Sequence, residues 1–113
     1  MAIELLDERK AGRLLAVEDD AVVGFIAYFV LEEPPHALVA VHTVVEPGHQ
    51  GRGIAGDLVD RFYRIAEAEG VPVVPLCPYA ARWAARHPEQ APVAPAAVVD
   101  AAVAQLDRDA DLW

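Results

Sequence analysis

Between residues 50 and 56 the chain reads Gln50-Gly51-Arg52-Gly53-Ile54-Ala55-Gly56. Its glycines let the backbone approach a ligand closely and adopt turns that other residues resist. Where such a loop opens a helix, unpaired amide N–H groups and the positive end of the helix dipole converge, and the chemistry they favour is the binding of an anion such as a diphosphate. Gly51-x-Gly53-x-x-Gly56 formally matches the dinucleotide fingerprint, but that site also wants an acid about 20 residues further on. This chain has Leu76 and Cys77 there, and 113 residues leave no room for repeated strand–helix units. The Gly-Lys-Ser/Thr of a nucleoside-triphosphate loop is missing.

Two side chains outside the loop are candidates for proton transfer or nucleophilic chemistry. Cys77 is expected at the C-terminal end of a strand, just before a helix opened by Pro78, where helix amides favour a thiolate. There it can act as a general acid or as a nucleophile; the plain alternative is a buried, inert thiol. His42 suits a general base acting through a water, because imidazole exchanges protons in the physiological range; a core histidine bonded to backbone is the competing reading. Tyr79 is a reserve proton donor, with packing as its plain reading. His87-Pro88-Glu89 reads as a helix stop, and His36 and His49 are isolated. No pair of His, Cys or acidic residues has metal-ligand spacing, so no metal is expected.

The elements that position these residues follow from the apolar pattern. Gly12 to Glu18, the Asp19-Asp20 turn signal and Ala21 to Leu31 read as a β-hairpin. After a break at Glu32 to Pro35, His36 to Val45 returns as a strand, with His42 and Val44 on one face and Thr43 and Val45 on the other. From Ile54 the period becomes helical through Leu58, Phe62, Ile65 and Ala66, and Gly70 stops it. Val71 to Leu76 is then a short strand, parallel to the one before the helix, and Pro72 and Pro75 limit its pairing. A helix over Tyr79 to Arg86 follows. Gln90 to Pro95 reads as a linker, and Ala96 to Leu106 as a helix with Val99, Val103 and Leu106 on one stripe. The expected fold is α+β with a mixed sheet: one domain over residues 1–90, then a C-terminal linker and short helix over 91–113.

Composition narrows the partners. The apolar fraction of 55% suffices for one core, and the apolar runs are broken well before the roughly 18 residues of a membrane span. A net charge of −9 disfavours nucleic acid and mildly favours a cationic partner. One cysteine offers no internal disulfide, and Met1 to Arg9 lacks the order of a secretory signal, so the expected compartment is the cytoplasm.

Gln50-x-x-Gly53-x-Ala55 in a strand–loop–helix setting resembles the Gln/Arg-x-x-Gly-x-Gly/Ala signature of GNAT-type N-acetyltransferases. With His42-Thr43, Cys77-Pro78 and His87-Pro88-Glu89, residues 12 to 89 look like the small single-domain acetyltransferase-like subfamily sometimes named after YjdJ. The resemblance implies acetyl-coenzyme A as donor, its diphosphate on the amides of Gln50, Gly51, Arg52, Gly53, Ile54, Ala55 and Gly56, with Arg52 adding charge. It also implies a pantetheine arm lying in a V-shaped gap beside Thr43, Val44 and Val45, like an added strand. The implied activity is acetyl transfer to a small-molecule or protein amine by a monomer or homodimer. The alternative is a non-catalytic acyl-coenzyme A-binding or interaction module. Early helices that wall the acceptor site in many relatives have no room here, so an open acceptor side is expected.

Overall fold

The computed structural model describes residues 2–32, 34 and 36–113; the break expected at Glu32 to Pro35 lies partly outside them. Five strands, β1 (Glu4–Glu8), β2 (Arg13–Glu18), β3 (Ala21–Val30), β4 (Leu38–Val45) and β5 (Val73–Pro75), form one sheet in the order β1-β2-β3-β4-β5. Three helices, α1 (Ile54–Glu69), α2 (Pro78–Arg86) and α3 (Ala96–Arg108), flank it. All pairings are antiparallel except β4 with β5, which the α1 crossover makes parallel. This is the expected mixed α+β architecture. No helix among the described residues is long and apolar enough to cross a membrane.

The β2–β3 hairpin turns on Asp19 and Asp20, with φ of 52° and 64°. Two successive positive φ values are what a two-residue turn needs to match strand twist. Replacing Asp19→Asn and Asp20→Gly together is expected to raise stability by about 1 kcal/mol, read as a higher denaturant midpoint at unchanged slope.

Strand β1 is an addition to the sequence reading. Its acids obscure the alternation that sends Leu5 toward the core, opposite Ala16, and leaves Leu6 43% exposed on the other face. As an edge strand it gains from Glu4, Asp7 and Glu8, which repel a second edge. The Tyr28 hydroxyl donates to Asp7, tying β1 to the core, and burial is the main cause that pushes this phenol up to about 12.

One core lies between the sheet and α1. Ile54, Leu58, Val59, Phe62, Tyr63 and Ala66 face Leu14, Ala16, Ile26, Tyr28, Leu38 and Ala40. Phe62 meets Tyr28 edge-on at 5.0 Å. Ile65, expected on this stripe, is only half-buried at its margin. On the opposite face Ala94, Val98 and Ala102 cover Leu31, Ala37, Val39 and Val74. The α3 face is therefore shifted from the expected Val99–Val103–Leu106 stripe, and Val103 is 41% exposed. Alanine surrounds this helix, so the sequence period could not choose a face, and the small Ala102 lets it sit close to the sheet. The expected linker is likewise packed, with Ala91 and Ala94 buried.

β4 departs from regular pairing twice. Ala27 pairs with His42 and Tyr28 with Ala40, so Val41 is an extra residue, a β-bulge. The bulge exchanges the faces: Leu38 and Ala40 point to the α1 core, and beyond it Thr43 and Val45 take that side while His42 and Val44 turn away. The parallel ladder with β5 covers Leu38 to Ala40 alone. Leu76 and Cys77 both donate their N–H to the Ala40 carbonyl, at 3.0 and 3.1 Å, and there the strands part.

Candidate functional site

Past Ala40 the edge of β4 has no strand partner, and the Val45 carbonyl accepts a long hydrogen bond from Gln50 Nε2 at 3.4 Å. Glu46 donates its N–H to the Val23 carbonyl at 2.8 Å, so by alternation Thr43 and Val45 turn their polar groups away from β3 and toward the gap. The gap leads to the glycine loop. Gly51 and Gly53 sit at φ 83° and 80°, in the left-handed region, and Gly53 caps α1 with no side chain bonded to the first-turn amides. The N–H groups of Ile54, Ala55 and Gly56 consequently have no partner within the helix. A Cβ placed at Gly51 or Gly53 meets nothing within 4 Å, so the loop borders open space.

That space is a cavity of about 460 Å³ lined by Thr43, Val45, His49, Gln50, Gly51, Gly53, Ile54, Ala55, Gly56 and Tyr79. Its size lies within the usual range for a small-molecule site. One wall is the open edge of β4 and another the amide-rich start of α1; an extended, amide-bearing chain ending in a diphosphate suits both. The free amides, the left-handed glycines and the open Cβ positions fit coenzyme A.

Eight of the residues expected at the site come together here: Thr43, Val45, Gln50, Gly51, Gly53, Ile54, Ala55 and Gly56. Four do not line it. Arg52 turns outward, its two terminal nitrogens donating to the Glu18 carboxylate at 3.2 and 2.6 Å. That hydrogen-bonded pair holds the Glu18 carboxyl below its ordinary range. The stability it contributes is present above the ordinary carboxylate value and is lost as pH falls through the lowered one. Val44 is 42% exposed on the other face. His42 shares that face, where its Nε2 lies 3.3 Å from the Trp113 carbonyl oxygen.

Cys77 is packed one layer behind the cavity wall. It caps α2, is 5% exposed, and its Sγ–H donates to Thr43 Oγ1 at 3.3 Å. Tyr79, held in reserve by the sequence, lines the cavity; its hydroxyl is 3.6 Å from a Cβ built on Gly56. His49, isolated in the sequence, forms part of the wall. Its place directly before the loop was the one available signal.

The model of the GCN5-related N-acetyl-transferase family matches residues 13–93, which is most of the chain. The chain belongs to this family. No curated protein matches it. Among solved structures, ribosomal-protein-alanine N-acetyltransferase from Brucella melitensis biovar Abortus 2308 is 28% identical, with a TM-score of 0.56 over 74% of this chain and 62% of that one. A predicted acetyltransferase from Clostridium acetobutylicum, solved with acetyl-CoA, shares the fold at 17% identity, with a TM-score of 0.55 over 66% of this chain and 55% of that one. An aminoglycoside acetyltransferase from an uncultured soil metagenomic sample, in complex with sisomicin, shares it at 18% identity and a TM-score of 0.54, over 66% of this chain and 54% of that one. In each case the chain spans less than two thirds of the solved protein's length. The glycine loop and every residue lining the cavity lie within the matched residues.

Proposed function

We propose that this protein moves an acetyl group from acetyl-coenzyme A to a primary amine. The observation that carries the reading is a cavity running from the free amides of α1, along the edge of β4 that lacks a strand partner, to Thr43, whose hydroxyl accepts from Cys77 behind the wall. The diphosphate rests on the amides of residues 50–56, the pantetheine arm follows Thr43 and Val45, and the thioester reaches the strand divergence. His87-Pro88-Glu89 and Cys77-Pro78 support the small single-domain branch of the family.

The chemistry needs a base for the amine and an acid for the sulfur. The amine nitrogen attacks the thioester carbonyl, forms the C–N bond and gives up a proton; the C–S bond breaks and the coenzyme thiolate takes one. His42, on the far face at the open edge of β4, receives the amine proton through a water. On the cavity side, Thr43 Oγ1 passes its hydroxyl proton to the leaving sulfur while accepting the proton of Cys77. Cys77 caps α2, and the positive end of that helix's dipole offsets the negative charge left on its sulfur.

The test is acetyl transfer to a panel of primary amines, with intact mass followed in parallel. Cys77→Ala is expected to lower the rate about a hundredfold, and Tyr79→Phe far less. No acetyl adduct is expected on the protein. A Cys77-dependent adduct would replace direct transfer by a two-step route, and full activity in Cys77→Ala would remove Cys77 from the chemistry.

A further inference from the structure

The glycine loop is braced from outside the cavity by one carboxylate. Glu18 ends β2, immediately before the tight hairpin turn, and its side chain is 12% exposed. It accepts from both terminal nitrogens of Arg52, at 3.2 and 2.6 Å, and lies 3.3 Å from His49 Nε2. His49 Nδ1 is buried without a partner, so a proton there would be an unsatisfied buried donor. The favoured tautomer places the proton on Nε2, donating to Glu18. The two struts bracket Gln50 and Gly51 and reach across 31 and 34 residues of sequence.

The segment they hold is otherwise loosely specified. Arg52 stands between Gly51 and Gly53, both left-handed and both without neighbours within 4 Å of a Cβ position. Glycine has the most backbone freedom to lose, so an untethered loop of this composition pays a large ordering cost when it closes on an anion. We propose that Glu18 is a positioning residue that preorganises the coenzyme-binding loop through Arg52 and His49. This rests on the reading of the cavity as the coenzyme A site and adds to it a residue that never touches the ligand.

Removing Glu18 has two opposed effects: it frees the loop, and it deletes a negative charge near an anionic ligand. The second is a screened, long-range effect, so calorimetric titration with coenzyme A at about 1 M salt, where the Debye length is about 3 Å, isolates the first. Glu18→Gln is expected to weaken binding about tenfold there while the melting temperature of the free protein stays close to wild type. The same substitution made on an Arg52→Gln, His49→Gln background is expected to add nothing, since both struts are already gone. Equal affinity of Glu18→Gln and wild type at high salt, or an undiminished Glu18→Gln effect on that background, overturns the proposal. Should Glu18→Gln fail to fold, Arg52→Gln, at the strut whose side chain does not line the cavity, carries the test at the same salt, with about threefold weaker binding expected and unchanged binding contradicting it. Absence of binding by the wild type at any salt would instead remove the coenzyme site itself.

Discussion

Gly53→Glu is expected to lose coenzyme A binding by about two orders of magnitude, close to 3 kcal/mol, while remaining folded. Three effects act together. Gly53 holds φ at 80°, and a side chain there costs about 1–2 kcal/mol in the left-handed region. The new side chain enters open space at the mouth of α1, where no protein atom lies within 4 Å of its Cβ. Its carboxylate also competes for the amides that would receive the diphosphate. Gly53→Ala separates the terms, because it keeps the strain and omits the charge; a much smaller loss of affinity is expected. Calorimetry with coenzyme A, beside thermal melting of each variant, reads both quantities.

Phe62→Ala is expected to be the most damaging single truncation in the core, costing about 3–5 kcal/mol. Phe62 is 1% exposed, sits at the middle of α1 and meets Tyr28 edge-on, so its loss leaves a cavity between helix and sheet that neither can easily close. Domains of this size are stable by only about 5–15 kcal/mol, so this is a large share of the total. Chemical denaturation measures it. A loss below about 1 kcal/mol would mean that α1 does not pack on the sheet through this residue. Because α1 also presents the amides of residues 54–56, the same variant should bind coenzyme A more weakly as unfolding competes with binding.

Much of this architecture was legible locally. The Asp19-Asp20 turn, the helical period from Ile54, the Gly70 stop and the strand–loop–helix–strand order each rest on a few neighbouring residues, and each is found. β1 was not legible, because Glu4, Asp7 and Glu8 on an edge strand hide its alternation. The face of α3 was not legible either, since an alanine-rich helix has no single apolar stripe.

At the site, the limits have the same origin. The glycines of residues 50–56 point to anion-binding chemistry without knowledge of the fold, and six of the seven residues line the cavity. The side of β4 that His42 occupies depends on the Val41 bulge, which is a property of pairing with β3 and leaves no mark in the strand's own sequence. Alternation separates His42 and Val44 from Thr43 and Val45 but does not say which pair faces the cavity. In the sequence Arg52 stands as a candidate phosphate contact; in the structure its guanidinium pairs with Glu18, 34 residues upstream. Long-range partners of this kind are set by topology, and composition around either residue carries no trace of them.

The central claim is that coenzyme A occupies the cavity between the open edge of β4 and the start of α1. The most direct test is a titration of the wild-type protein with coenzyme A, followed through the backbone amide resonances. The account predicts that the largest shifts fall on Gly51, Gly53, Ile54, Ala55 and Gly56, with a second set at Thr43 and Val45, while β1 and α3 stay unperturbed. Shifts confined to other surfaces, or no shifts at saturating coenzyme A, would contradict it.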